Sequence, residues 1–271
     1  MKAVQKLQAK YGSGEGRALY ELILSQRFGL SRTDILLGKD TTLSADKQAE
    51  LQIIVDRVVK GEPVQYVLGC EEFCGRTFHV SSSVLVPRPE TQLLVGLVEQ
   101  NVAKGSSVLD IGTGSGCIAI TLALDGYKVM ALDVSDEALE VAKQNADRLG
   151  AEVEFVKADI QTMDYGLWTM DCIVSNPPYI CESEASTMDS NVLDHEPHLA
   201  LFVPDDDPLL FYRAIAEFGK AHLCDEGQIF FEVNSAYAKQ VEALLRDKGY
   251  KETRICGDQY GKERFVCARK E

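Results

Sequence analysis

The sequence predicts an α/β protein in which a Rossmann-like sheet of parallel strands follows a small N-terminal helical bundle. Short apolar runs alternate with helical patterns through the second part of the chain, and glycines or acids stand where several runs end. Before residue 60 the apolar residues instead recur at helical spacing. A chain of 271 residues can bury one large core and one small core. We therefore expect two domains, at residues 1–76 and 77–271.

The helical prediction for the N-terminal segment rests on spacing and on end signals. One helix is indicated by apolar residues at i, i+3, i+4, i+7 and i+8, and another by the start of the same pattern: Leu51, Ile54, Val55, Val58 and Val59, then Leu19, Leu22 and Ile23. Ser31 and Asp34 resemble a capping box. The sequence Gly61-Glu62-Pro63 is expected to close the last helix. Such a bundle is either inert packing or a docking surface.

A glycine-rich turn follows the first predicted strand. Val108–Ile111 is a short apolar run, and residues 115–124 have a helical pattern, so Gly112, Gly114 and Gly116 lie between a strand and a helix. Glycines there let a ligand approach bare peptide groups at a helix N-terminus. The spacing is G-x-G-x-G, and Cys117 stands where a dinucleotide fingerprint has its last glycine. This difference argues against a dinucleotide-binding oxidoreductase. The glycine pattern alone is also compatible with an ordinary tight turn that binds no ligand.

Acidic residues follow the next strands of the predicted sheet. Residues 129–134 and 154–159 are predicted strands that carry Asp133 and Asp159 near their ends, and Asp110 lies within the first strand. Because the carboxyl ends of parallel strands share one edge, these three acids should converge on a ligand there. Asp133 is placed to bind ribose hydroxyls, and Asp159 to accept from an adenine amine. Taken alone, any one of them has the alternative interpretation of a solvated loop acid or a helix cap.

The sharpest motif is Asn176-Pro177-Pro178-Tyr179, which follows a fourth predicted strand at residues 171–175. Two prolines fix the backbone and leave carbonyl groups that only accept hydrogen bonds, Asn176 adds another acceptor, and Tyr179 adds a flat ring. These groups suit a planar nitrogen whose N–H groups must be held in line with a methyl donor. With the glycine turn, they predict an S-adenosylmethionine pocket and a methyltransferase.

At this point the chain resembles the HemK-type family, the release factor glutamine methyltransferases. The resemblance extends beyond the sheet to residues 57–92, which are similar to the family's linker and contain Gly61-Glu62-Pro63, Gln65-Tyr66, Leu68-Gly69, Phe73 and Pro87-Arg88-Pro89-Glu90-Thr91. Residues 195–197, 200–202, 258 and 261–264 also look like the family. Adenine DNA methyltransferases share the Asn-Pro-Pro-Tyr signature but are not expected to share the linker.

The resemblance implies a class I S-adenosylmethionine-dependent methyltransferase domain. It also implies methylation of the glutamine side-chain amide in the Gly-Gly-Gln loop of class 1 peptide chain release factors. Asn176, Pro177 and Tyr179 would be catalytic and, with Pro178, would hold the substrate amide. Arg88 and Glu90 would shape the substrate side or contact the release factor. The cofactor would be held by Asp110, Gly112, Gly114, Gly116, Asp133, Asp159 and Asn176. The helical bundle is then favoured as a docking surface for the release factor.

The chain departs from the family pattern in two places. Gln92 stands where a Glu is usual, and Glu232-Val233-Asn234 with Tyr237 replaces the more familiar glycine and glutamine pattern near the fifth strand. We expect these differences to affect supporting contacts around the site and to leave the reaction unchanged. Further strands are predicted at residues 228–233 and 264–269, with helices from Pro208 and over residues 236–248. The 28 residues from Ile180 to Asp207 form a long loop, which we expect to help enclose the substrate.

Composition favours a cytoplasmic enzyme. The 28 basic and 42 acidic residues give a net charge of −14, which disfavours direct nucleic-acid binding and suits a protein partner. Eight cysteines without a C-x-x-C pair favour buried thiols, and His195 with His198 lacks a third ligand, so no metal is expected. Neither a leader nor a membrane span is indicated. The alternatives kept open are methylation of a nucleic-acid amine and a cofactor-binding protein without catalysis.

Overall fold

The computed structural model describes residues 3–162 and 169–271, which form two compact units. The first unit runs to Cys70 and also includes Asp189–His195, and the second comprises Glu71–Met188 and Glu196–Glu271 as far as they are described. The sequence-based boundary after residue 76 falls six residues beyond the first of these divisions. Only the long segment after the Asn-Pro-Pro-Tyr motif contributes to both units.

The first unit is helical, as predicted. Its N-terminal helices are α1 (Ala3–Tyr11), α2 (Ser13–Phe28), α3 (Arg32–Leu36), α4 (Ala45–Val59) and α5 (Val64–Leu68). The capping box is confirmed, because the Ser31 hydroxyl accepts from the Asp34 N–H and the Asp34 carboxylate accepts from the Ser31 N–H. The prediction that Gly61-Glu62-Pro63 closes the last helix was wrong. It ends α4, but Pro63 then caps α5, since its fixed φ of −54° suits the start of a helix.

The second unit begins with a hairpin and a helix that precede the sheet. The hairpin strands are β1 (Cys70–Phe73) and β2 (Arg76–His79), and the helix is α6 (Pro89–Asn101). There follow β3 (Ser107–Ile111), α7 (Cys117–Leu124), β4 (Lys128–Asp133), α8 (Asp136–Leu149), β5 (Val153–Lys157) and β6 (Met170–Ser175). The chain then has β7 (Ile180–Cys181), α9 (Ser190–His195), β8 (Phe202–Val203), α10 (Leu210–His222), β9 (Leu223–Glu232), α11 (Ala238–Asp247), β10 (Lys251–Gly257) and β11 (Glu263–Arg269).

In the described residues, seven strands form one sheet in the order β10-β11-β9-β6-β3-β4-β5. The pairs from β9 to β5 are parallel, whereas β11 is antiparallel to both of its neighbours. The strands β3 and β6 pair over Val108–Ile111 and Cys172–Ser175. The topological switch point of the sheet is at β3, because β4 lies on one side of this strand and β6 lies on the other. Ligands bind at such a switch point, outside the carboxyl ends of the strands.

Apolar residues cover both faces of the sheet. One buried cluster includes Phe73, Val108, Ile120 and Phe230, and the other includes Leu109, Ile173, Tyr212 and Phe231. Alternate residues of β3 and β9 therefore enter opposite clusters, as the two-residue period of a strand requires. The strand predictions at residues 108–111, 129–134, 171–175, 228–233 and 264–269 are confirmed in position.

Two parts of the predicted sheet differ. The strand predicted at residues 154–159 ends at Lys157, so Asp159 follows it in a turn. Strand β10 was not predicted, because its exposed edge leaves charged residues between its apolar ones. The segment Ile180–Asp207 contains β7, α9, β8 and two short 3-10 helices, so it is not one irregular loop. Among the described helices, none has the length and apolar composition needed to span a bilayer.

Candidate active site

A cavity of about 250 Å³ opens at the carboxyl ends of the parallel strands. Four consecutive strand ends contribute to its wall, through residues 112–115 after β3, 133–135 after β4, 158–161 after β5 and 176–178 after β6. The opposite wall comes from residues before and within α6, including Leu85, Pro87, Arg88 and Thr91, and from Phe211 and Ile215 of α10. The predicted convergence of the glycine turn with the Asn-Pro-Pro segment is therefore present.

Two of the three glycines leave open space beside the cavity. Gly112 and Gly114 have φ values of 77° and 55°, and a Cβ atom built on either residue would meet nothing within 4 Å. The Gly112 N–H donates to the Leu132 carbonyl at 2.9 Å, which ties the turn to β4. A ligand can thus lie directly against the backbone of these two residues.

Gly116 has a different role. It does not line the cavity, and a Cβ atom there would lie 2.7 Å from Ile120 Cδ1 and 3.2 Å from Ala142 Cβ. With φ at 80°, Gly116 caps the N-terminus of α7 and allows this helix to pack closely on α8. The sequence pattern does not distinguish this packing glycine from the two that face the cavity.

Asp133 joins the glycine turn to the cavity wall. Its carboxylate accepts the Gly114 N–H at 2.9 Å and the Ser135 N–H at 3.0 Å. Burial raises the pKa of Asp133, and the hydrogen bonds from backbone N–H groups oppose that rise. Each oxygen holds one backbone donor and keeps a lone pair for a ligand hydroxyl. Asp159 also lines the cavity, and its Oδ1 accepts the Gln161 N–H at 2.9 Å.

Asp110 lies outside the cavity wall. It is fully buried, and its Oδ2 accepts the Thr113 hydroxyl at 2.7 Å, while Oδ1 has no partner among the described residues. Burial raises the pKa of Asp110 to about 7. Asp110 therefore supports the glycine turn from below, and the structure provides no direct contact for the cofactor role predicted from the sequence.

The Asn-Pro-Pro segment lines the cavity through Asn176, Pro177 and Pro178, but Tyr179 does not. The Tyr179 ring packs on the buried cluster that contains Tyr212, and its hydroxyl donates to Glu232 Oε1 at 3.2 Å. Burial, followed by the charge of Glu232, raises the pKa of the Tyr179 hydroxyl. The structure thus places Tyr179 behind the segment, where it holds the backbone of the motif and does not offer its ring to the cavity.

A buried carboxylate connects this segment with α6. Glu232, at the end of β9, is 1% exposed and accepts the Thr91 hydroxyl at Oε2, over 2.8 Å. Thr91 in turn accepts from Asn176 Nδ2 at 3.3 Å. The contact between Thr91 and Glu232 was not predicted from the sequence, because it joins residues far apart in the chain. The available signals were polar residues that interrupt apolar patterns and, for Thr91, its place in the Pro-Arg-Pro-Glu-Thr element of the family.

Of the two residues predicted on the substrate side, Arg88 and Glu90, only the first lines the cavity. Arg88 lines the cavity, and its guanidinium donates to Glu196 Oε1 at 2.5 Å. Glu196 is almost fully buried and also accepts the Val86 N–H at 3.4 Å. Glu90 does not line the cavity, and its negative charge contributes to raising the pKa of Glu232.

The residues that depart from the family pattern support the segment after the motif. Asn234 donates through Nδ2 to the Tyr179 carbonyl at 3.3 Å and to Glu184 Oε2 at 3.2 Å. The Tyr237 hydroxyl lies 3.3 Å from the Cys181 sulfur. Asn234 and Tyr237 therefore hold the backbone that follows Pro178. Gln92 is half-buried in α6, and nothing in the structure explains its difference from the usual Glu.

The residues present fit S-adenosylmethionine. Open space over two glycines accepts a flat or extended ligand against bare backbone, and Asp133 and Asp159 add acceptors for hydroxyl and amino groups. Asn176 lines the same cavity and adds an amide group to its wall. Within the described residues, no cluster of His, Cys, Asp or Glu suits a metal ion.

Known proteins agree with this fold. A family model for a methyltransferase domain matches residues 103–250, and a model for the PrmC N-terminal domain matches residues 1–69. The structure is similar to a crystal structure of a methyltransferase from Pyrococcus furiosus, with a TM-score of 0.55, 19% identity, and coverage of 84% of this chain and 99% of that one. A Thermus thermophilus 16S rRNA N2 G1207 methyltransferase, solved with AdoMet and guanosine, gives a TM-score of 0.55 at 19% identity and covers 74% of this chain and 50% of its own.

Curated relatives match almost the entire chain. The release factor glutamine methyltransferase of Bacteroides thetaiotaomicron is 47% identical over 267 residues, which cover 97% of this chain and 96% of the relative. That of Flavobacterium psychrophilum is 39% identical, over 97% of this chain and 95% of its own. The fold and the site define a class I S-adenosylmethionine-dependent methyltransferase. The chain belongs to the release factor glutamine methyltransferase family.

Proposed function

We propose that this protein methylates the side-chain amide nitrogen of the glutamine in the Gly-Gly-Gln loop of class 1 peptide chain release factors, in the cytoplasm. One observation carries the proposal: Asn176, Pro177 and Pro178 line the same cavity as Gly112 and Gly114. A cradle for the methyl donor and a set of hydrogen-bond acceptors for a planar nitrogen thus share one space. Family membership supports the choice of a release factor as the substrate.

The chemistry requires orientation of the amide. Bound S-adenosylmethionine supplies the methyl group from its sulfonium centre. Asn176 and the Pro177 carbonyl accept the two N–H groups of the glutamine amide and so fix its plane and direction. Such positioning can lower the barrier by several kcal/mol, of the order of the ~7–11 assigned to proximity and orientation. No strong base is needed: the methyl carbon–sulfur bond breaks as the new carbon–nitrogen bond forms, a neutral thioether is left behind, and one nitrogen-bound proton becomes acidic enough to pass to water.

The remaining site residues shape the cavity around the glutamine. Arg88 forms part of the substrate-side wall and is held by Glu196, while Pro197 and Leu199 of the long segment also line the cavity. We therefore assign this segment a share in enclosing the glutamine loop, where exclusion of water strengthens the polar contacts. Tyr179 acts by holding the motif, and Glu90 by its charge or by contact with the release factor.

The direct test is transfer of labelled methyl from S-adenosylmethionine to purified, unmethylated release factor. We expect labelling of the native factor and none of a factor whose Gly-Gly-Gln glutamine is replaced by alanine. Adenine-containing DNA serves as the third substrate, because the same acceptors would suit an adenine amine. Labelling of DNA in place of the release factor would overturn the proposal, and the net charge of −14 argues against that result.

The helical unit is proposed to dock the release factor. Three large apolar side chains on it are exposed, namely Leu36 at 74%, Leu37 at 71% and Ile53 at 63%. We expect Leu36→Asp combined with Ile53→Asp to raise KM for the whole release factor about tenfold or more, because apolar side chains that leave water on docking favour binding and an Asp buried there without a partner opposes it. The KM for a free Gly-Gly-Gln peptide should not change.

Ala18→Asp is the matched control for this prediction. It adds a charge at an exposed position of another helix, α2, and leaves Leu36, Leu37 and Ile53 in place, whereas a residue four positions from Ile53 would share its face of α4. Its KM for the release factor should remain close to that of the native protein. Equal increases in KM for factor and peptide would contradict docking by this unit.

A further inference from the structure

We infer that Glu232, acting through Thr91, sets the direction in which the side-chain amide of Asn176 faces, and so presents its carbonyl oxygen to the substrate. The inference rests on the proposed function, because it concerns the acceptor that holds the glutamine amide. Glu232 does not line the cavity, and we therefore assign it as a positioning residue. The assignment follows from how many hydrogen-bonding protons the side chains of Glu232, Thr91 and Asn176 can donate to one another.

Thr91 can donate only one proton. A hydroxyl has one donor and two acceptor lone pairs, whereas an ionised carboxylate only accepts. The Thr91 hydroxyl lies 2.8 Å from Glu232 Oε2, so its single proton is committed to that carboxylate. Toward Asn176, Thr91 can then only accept. The Asn176 atom at 3.3 Å from Thr91 must be the nitrogen, as the structure has it.

As a consequence, the side-chain carbonyl oxygen of Asn176 is held as a hydrogen-bond acceptor for a ligand in the cavity. Because the nitrogen of the Asn176 amide faces Thr91, its carbonyl oxygen is the atom left for a ligand. An amide turned the other way would offer N–H groups to the N–H groups of the substrate, which cannot pair. Both Thr91 and Glu232 are almost fully buried, at 3% and 1% exposure, so water does not readily replace either partner.

The direction depends on the charge of Glu232. A protonated Glu232 can donate to Thr91, which frees the Thr91 proton to donate toward Asn176 and allows the amide to reverse. Burial raises the pKa of Glu232 to about 7, while hydrogen bonds from Thr91 and Tyr179 and the charge of Arg264 lower it, and the charge of Glu90 raises it. The Tyr212 hydroxyl of α10 donates to the backbone carbonyl of Glu232 at 3.1 Å. The ionised, orienting form therefore predominates above the pKa and is lost as pH falls.

The first experiment measures kcat on release factor between pH 5.5 and 9 at saturating S-adenosylmethionine. In the native protein kcat should fall on the acid side with a midpoint near 7. Thr91→Val should lower kcat at pH 8 about tenfold or more, as expected for the loss of one orienting hydrogen bond, without a matching change in KM for S-adenosylmethionine. Thr91→Ser keeps the hydroxyl and should recover most of that loss.

Glu232→Gln tests the charge itself. It keeps the shape but removes the ionisation, so the acid fall in kcat should become clearly smaller. Burial also raises the pKa of Asp110 to about 7, and any fall that Asp110 causes is common to both proteins. Adding Thr91→Val to Glu232→Gln should cost less than it costs in the native protein, because both changes act on the same amide. The inference is overturned if Thr91→Val leaves kcat unchanged, if Thr91→Ser loses as much as Thr91→Val, or if the acid fall in Glu232→Gln is as large as in the native protein.

A nuclear magnetic resonance titration separates this inference from the proposed function. The side-chain NH₂ signals of Asn176, identified by their loss in Asn176→Ala, should shift with a midpoint near 7 in the native protein and not in Glu232→Gln. No methyl transfer to release factor would refute the proposed function, and this titration would still decide the role of Glu232. A native Asn176 signal that does not respond to pH would overturn the inference.

Discussion

Replacing Asn176 by alanine is expected to lower kcat for release factor methylation by about 100-fold or more, because the variant loses a preorganised polar group that orients the reacting amide. Affinity for S-adenosylmethionine should change little, since Gly112, Gly114, Asp133 and Asp159 stay in place around the cavity. Single-turnover kinetics give the transfer rate, and calorimetry gives the cofactor Kd.

A surface amide provides the control for this prediction. Gln240 is exposed on α11, so Gln240→Ala removes a side-chain amide without touching the cavity. Its kcat and cofactor Kd should match those of the native protein. An Asn176→Ala variant with normal turnover would remove the assignment of Asn176 as the acceptor for the substrate amide.

The second large effect concerns Gly116 and is expected in stability. Gly116→Ala forces a side chain into the left-handed region, at a cost of about 1–2 kcal/mol, and places its Cβ 3.2 Å from Ala142 Cβ and 2.7 Å from Ile120 Cδ1. Overpacking of a close-packed core adds about 1 kcal/mol or more. Chemical denaturation should therefore show a free energy of unfolding lower by about 2–3 kcal/mol.

Gly112→Ala is the matched variant, because its φ of 77° is similar but its Cβ meets nothing within 4 Å. It should lose only the conformational cost, about 1–2 kcal/mol, while its methyl group occupies the space where the cofactor approaches the backbone. We expect its affinity for S-adenosylmethionine to fall more than that of Gly116→Ala. If the two variants lose equal stability and equal affinity, the division between cavity and packing glycines is wrong.

Local pattern was enough to predict the parallel part of the sheet. The runs that became β3, β4 and β6 are continuous and apolar because both faces of these strands are buried. The strand ends could then be located from glycine, acid and proline residues, which placed the glycine turn, Asp133 and Asn176 at one edge. Strand β10 was missed for the opposite reason, since an edge strand with exposed charges lacks that signal.

The same local reasoning could not assign the supporting residues. The sequence pattern predicts the same cofactor-binding role for Asp110, Gly112 and Gly116. In the structure Gly112 faces the cavity, whereas Asp110 and Gly116 lie outside its wall. Tyr179 was expected to present its ring to the substrate, and its hydroxyl is instead bound to Glu232. The direction in which a turn residue faces depends on the helix or strand that packs against the turn. That helix or strand lies elsewhere in the chain, so the sequence of the turn gives no information about it.

Residue types and periods of two to four residues were enough to predict the fold class, the edge of the sheet that carries the site and the chemistry of its acceptors. The contacts among the polar groups depend on tertiary packing and could not be predicted in this way. Asn176 and Glu232 lie 85 and 141 residues after Thr91 in the chain. The three side chains meet because α6, which carries Thr91, packs beside β9, at whose end Glu232 lies, and because Asn176 directly follows β6, the strand next to β9. Hydrogen-bond direction depends on such contacts, since a hydroxyl donates its one proton to whichever acceptor the fold places beside it.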